Sequence, residues 1–208
     1  MLRVERQSKS IRMAAFSLYP LAFTLNLSLR KLNTMTRKDL LGSYGEREAF
    51  AVYNALKPSG NFIGFAQSFM HDEDYQVARN ALWTLTKATD EELSSLQPIL
   101  NELIDLAITT DNSSVRRLSM NVIERLKITE DNLRTDFLDF CFDHAIDPAE
   151  YPGIQSLAIK LAYKMCSFYP ELKAELILTL ENMQIEYYKP AVKSIRNRIL
   201  KGKYRIKV

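Results

Sequence analysis

Histidine occurs twice in this 208-residue sequence, cysteine twice, tryptophan once and glycine six times. Each shortage removes something. Cys141 and Cys166 cannot build the disulfide framework of a small secreted domain, so they read as buried thiols in a reducing, cytoplasmic chain. No glycine-rich phosphate loop is present, since Gly60 and Gly64 stand alone. No serine or cysteine sits in a nucleophile elbow. General acid–base work would fall to carboxylates, tyrosines or lysines, and no motif places one. The expectation is a protein that is not an enzyme and needs no cofactor.

Long apolar runs are also missing. The most apolar stretch, residues 13–29, is broken by Pro20 and Asn26 and falls short of the ~20 residues of a membrane span. Arg3, Arg6, Lys9 and Arg12 precede it, which gives a faint presequence layout. Thr36 and Asp39, three apart, look like the capping box of a domain that starts near Met35. Three readings of residues 1–34 stay open: an extension ahead of a start at Met35, a processed targeting segment, or a structural helix. The domain itself is expected over residues 35–208.

Charge of one sign is scarce in places. Residues 187–208 hold eight lysines and arginines and no acid, residues 1–38 eight and one, and residues 39–186 a net of −12. An acidic body between basic ends favours a basic or amphipathic protein partner for the body. Lys193, Arg196, Lys201 and Lys203, interleaved with tyrosines, are the candidate polyanion contacts, and they keep nucleic acid open as an alternative partner. Three structural roles compete for the same cations: complementing the last helix dipole, covering the outer face of a terminal unit, and lying back on the acidic body.

What the sequence has in plenty is helical periodicity. Apolar-periodic segments follow one another over 46–57, 61–70, 75–87, 93–109, 114–127, 131–145, 153–168, 171–183 and 189–201, with no alternating pattern of strands. The acidic stretches at 71–74 and 88–92 fall at expected helix N-termini, where negative charge is favourable; neither has the ligand spacing of a calcium loop. Cys141 and His144 share a helix face in "CFDH", but zinc would need two further ligands, so no metal site is expected. Trp83 and the group Phe137, Phe140 and Phe142 read as core and inter-repeat packing, with one phenylalanine of that group left towards the surface.

The segments repeat. From Val77, Val115, Ile154 and Val192, spaced 38, 39 and 38 residues apart, offsets of 4, 7 and 8 trace one helix face. Small residues fill offset 4 at Ala81, Ser119 and Ala158, whereas the last unit has Arg196. Such helix pairs cannot bury their apolar faces alone, and stacking them makes one continuous core.

Residues 96–126 resemble a HEAT repeat of the armadillo-like superfamily. The resemblance rests on Pro98, the leucine-rich run after it, and the turn-to-helix signature Asp111, Val115 and Arg116. It implies an all-α fold, a right-handed α-α superhelix of about four helix pairs. It also implies an inter-repeat ladder in which Asp111 caps the second helix and Arg116 reaches a turn of the next repeat. The other units depart from the signature, with Glu73 and Arg79, Glu150 and Gln155, Tyr188 and Lys193 near those places. Proteins of this kind serve as interaction modules or scaffolds. One branch comprises DNA glycosylases, whose basic aromatic channel is not matched by the single tryptophan and acidic middle of this chain.

Overall fold

The computed structural model describes residues 35–42 and 44–206. The expectations for residues 1–34 lie outside these. Among the described residues the structure is all-helical, with no strand. It opens with a 3-10 turn, Arg37–Leu40, and a helix α1, Glu46–Leu56. Four helix pairs follow. The first is α2 (Phe62–Phe69) with α3 (Tyr75–Leu85). A short helix α4 (Asp90–Leu93) and a 3-10 stretch (Ser94–Ile99) lead into α5 (Leu100–Thr109), which pairs with α6 (Ser113–Arg125). The third pair is α7 (Thr135–Ile146) with α8 (Pro152–Cys166), and the fourth α9 (Pro170–Asn182) with α10 (Pro190–Leu200).

The pairs stack in two layers. The second helices α3, α6, α8 and α10 pack on one another in order, with α1 ahead of α3, and the first helices form the other row. The register positions explain why. Val77, Val115, Ile154 and Val192 are all buried, as are Ala81, Ser119 and Ala158 at offset 4. A small side chain there lets neighbouring helix axes approach, while the larger residues at offsets 7 and 8 fill the space beside it. Every buried side-chain nitrogen and oxygen among the described residues has a partner, as a stable interior requires.

Burial is uneven. Helix α8 buries ten residues, whereas α9 buries only Leu176 and Leu180; among the described residues no later first helix packs on α9. Local signals set the boundaries. Asp74 accepts a bond from the Gln76 amide and starts α3. Thr89 and Glu92 form a reciprocal capping box at α4. The Thr36–Asp39 box is present as well, yet it opens a 3-10 turn and not an α-helix. The helix expected over 93–109 is divided: Pro98 lies inside the 3-10 stretch and α5 begins only at Leu100. Proline has no amide hydrogen to donate and disfavours the α conformation in the residue before it.

Candidate interaction surfaces

The turn between α5 and α6 corrects the sequence reading of Asp111. The cap of α6 is its neighbour Asn112, whose Oδ1 accepts from the amides of Ser114 and Val115. Asp111 is exposed and makes no side-chain hydrogen bond or ion pair among the described residues. Val115 enters the core as expected. Arg116 stays mostly within its own pair. Its Nε donates to the Ala107 carbonyl at 3.1 Å and its Nη2 to the Thr110 carbonyl at 2.5 Å. Those carbonyls close α5, where the last C=O groups lack helical partners. The next repeat is met through the ring of Phe140, 5.7 Å from the guanidinium carbon. The two residues therefore do not form the expected ladder of turn-to-turn hydrogen bonds.

Gln155 and Arg196 use the same device in the third and fourth pairs. Gln155 Nε2 donates to the Asp147 carbonyl at 2.6 Å. Arg196 Nε donates to the Leu180 carbonyl at 2.6 Å and its Nη2 to that of Glu181 at 3.1 Å. Arg196 is thus engaged in holding α9 to α10, which removes it from the candidate polyanion contacts. Lys201 and Lys203 are exposed and Lys193 half-buried; none of the three lies within ion-pair distance of a described carboxylate.

A different set of cations links successive pairs. Arg125, at the end of α6, donates to the carbonyls of Thr86 and Ala88 after α3, at 3.2 and 2.6 Å, and pairs with Asp90. Lys164, at the end of α8, donates to the carbonyls of Glu124 and Leu126, at 3.1 and 2.7 Å. Both sets of carbonyls belong to the C-terminal end of the preceding second helix, where partial negative charge accumulates. Lys87 holds the corresponding place one pair earlier and reaches Glu46 at 2.6 Å. Burial holds the Lys164 ammonium below its usual pKa, opposed by Glu124. Sequence reasoning missed this series, although Lys87, Arg125 and Lys164 recur at 38 and 39 residues. At the fourth pair Tyr188 adds a link of its own, donating to the Ile146 carbonyl at 2.6 Å.

The C-terminal tail lies back on the stack. The Tyr204 ring meets Tyr163 edge-on at 5.7 Å, and its hydroxyl donates to Glu124 Oε1 at 3.3 Å. Ile206 helps to line a cavity of about 260 Å³ with Ile128 and Phe168. These contacts are made by Tyr204 and Ile206 and not by the cations of the basic end, which form no ion pair with the acidic body among the described residues.

Cys141 and His144 do not form a site together. Cys141 is fully buried and desolvation pushes its thiol up, as it pushes Cys166 up to about 11. The His144 ring lies tilted against Phe140, 4.1 Å between centroids, and bonds Glu150 through Nδ1. Among the described residues no cluster of three or more His, Cys, Asp or Glu side chains is placed to hold a metal ion. No described helix is long and apolar enough to cross a membrane.

Charge is sorted by layer. The first helices α5, α7 and α9 carry Glu102, Asp105, Asp136, Asp139, Asp143, Glu171, Glu175 and Glu181 against the single lysine Lys173. The second helices α3, α6, α8 and α10 carry nine lysines and arginines against the single carboxylate of Glu124. Arg134 ties the acidic row together, bridging Asp105 on α5 and Asp136 on α7 at 2.5 Å each.

Paired helices at a 38–39-residue period, stacked into two rows around one core, define a helical repeat scaffold. A family model described as HEAT repeat domain matches residues 36–203, and the chain belongs to that family. Neither the comparison with curated proteins nor the comparison with solved structures gives a match.

Proposed function

We propose that the protein is a non-catalytic interaction module whose first-helix row receives a basic or amphipathic segment of a partner protein. The observation that carries this reading is the outer side of α7 and α9. Asp139, Asp143, Glu171 and Glu175 are exposed there and have no ion-pair partner among the described residues. On α9, Leu178 is 58% exposed, although an apolar side chain in the middle of a helix is ordinarily drawn inwards. Exposed carboxylates around an apolar anchor complement a helix with a cationic face and an apolar one. HEAT repeat scaffolds generally act by binding proteins, which supports the same reading.

The nucleic-acid alternative has less behind it. One of its four candidate cations, Arg196, is engaged with main-chain carbonyls, and Tyr204 of the basic end is docked on Tyr163. The test is binding of a fluorescein-labelled amphipathic leucine–lysine helix, followed by anisotropy. The combined variant Asp139→Asn, Asp143→Asn, Glu175→Gln and Leu178→Ser weakens binding by about tenfold, the size of a few lost charge and apolar contacts. Unchanged binding by that variant contradicts the reading.

A further inference from the structure

The second-helix row presents the opposite face. Of its nine cations, Arg116, Arg125, Lys164 and Arg196 bond main-chain carbonyls. Lys160 lies 3.9 Å from Glu124. That leaves Arg79, Arg117, Lys193 and Arg198 with no described carboxylate in ion-pair distance, on three of the four helices.

Their places in the repeat coincide in part. Arg79 and Arg117 are 38 residues apart, and Lys160 and Arg198 are also 38 apart. Arg117 and Arg198 are exposed on their helices, and Arg79 and Lys160 half-buried. Arg79 also donates through Nε to Asn80 Oδ1 at 2.9 Å, and the Arg198 guanidinium lies 5.5 Å over the Tyr204 ring, whereas the Arg117 and Lys193 side chains make no hydrogen bond among the described residues. A cation is favoured in the last turn of a helix, yet Arg79, Arg117 and Lys193 sit in the first two turns of α3, α6 and α10. Arg117 even lies across the neighbouring helix: a Cβ added at Gly153 would meet its Cδ at 2.7 Å. Glycine at 153 leaves room for the arginine to extend over α8. Trp83 lies half-buried in the same row, and Tyr163 is met there by the Tyr204 ring of the tail.

We infer that this row is a second docking surface, and that its occupant is an acidic, extended segment of a partner protein. Two observations favour a polypeptide over a nucleic acid. First, the basic strip is narrow. A 13-residue helix such as α6 is ~20 Å long, and carboxylates border the strip at both ends of the helices. Asp72, Asp111 and Asp147 stand in the turns within pairs, and Glu91, Asp131 and Glu171 at or near the connections between pairs. A duplex laid along the row would press its phosphates on those acids. Second, three of these four cations are guanidinium groups, and Arg79 and Arg117 stand one repeat apart, which suits forked hydrogen bonding to separate carboxylates. With neighbouring axes ~8–10 Å apart, the row from α3 to α10 is about 30 Å long, which an extended chain of about ten residues spans.

The inference is independent of the acidic face on α7 and α9, and its test touches other residues. The full chain is titrated into a fluorescein-labelled peptide of alternating glutamate and serine of that length, and into an oligothymidylate, at low salt. Three forms are compared: the parent, Arg79→Glu with Arg117→Glu and Arg198→Glu, and a control with Lys38→Glu, Arg47→Glu and Lys127→Glu. The two variants change net charge equally. The expected result is peptide binding that the row variant weakens by about tenfold or more and the control by less than about twofold. Equal loss in both variants makes the attraction a net-charge effect and overturns the inference. So does tighter binding of the oligothymidylate than of the peptide, or no peptide binding by the parent. Circular dichroism checks the fold; if the charge reversals disturb it, the neutral set Arg79→Gln, Arg117→Gln and Arg198→Gln replaces them and is read in the same way.

Discussion

At the scale of single residues, two neighbours in one turn have different roles that their side chains alone do not announce. Asp111 and Asn112 are both good helix caps by type. The backbone places Asn112 at the cap, with extended torsions and its Oδ1 on two amides, and leaves Asp111 in solvent. Replacing Asn112 by alanine is expected to cost about 1 kcal/mol of unfolding free energy, within the usual 0.5–2 for a lost cap. Replacing Asp111 by alanine is expected to change it by less than about 0.5. Urea titration of both variants against the parent checks the contrast, and equal losses would return the cap to Asp111. Arg116 shows the same limit of sequence reading. Its residue type and place were legible, but the acceptor was not, because a main-chain carbonyl leaves no mark in the sequence.

At the scale of helices, the four-unit register was legible and survives in detail. The apolar positions at offsets 0, 4, 7 and 8 are read from side chains, and burial follows side chains directly; Arg196 and Leu200 in the last unit are the exceptions. The split of the helix expected over 93–109 was less legible, since one proline decides it from within an otherwise regular pattern. The cations that link the pairs were hidden for another reason. Lysine and arginine near a helix end read as ordinary dipole partners, and only the stack shows that the end they serve belongs to the previous pair. Lys164→Met keeps most of the side-chain volume and removes the donor to the Glu124 and Leu126 carbonyls. It is expected to lower stability by about 1–3 kcal/mol, the effect of leaving buried acceptors unpaired. A thermal or urea melt indistinguishable from the parent would show that these bonds do not hold neighbouring pairs in register.

At the scale of the whole molecule, charge along the chain and charge in space differ. The sequence shows an acidic middle between basic ends because each stretch of it averages a first helix, a second helix and their connections. Folding separates those elements into rows, and the acids and bases separate with them. A protein of nearly balanced charge thereby presents two faces of opposite sign, and we propose a different partner chemistry for each. Both faces depend on the same spine, the row of second helices packed on one another from α3 to α10.

The measurement that tests this spine most directly is native-state hydrogen exchange across the full chain, read by mass spectrometry. The account predicts protection that rises and falls with the 38–39-residue period. It is highest in α3, α6 and α8, lower in α5 and α7, and lowest among the paired helices in α9, which buries only two residues. Uniform protection along the chain, or first helices that outlast the second ones, would contradict it.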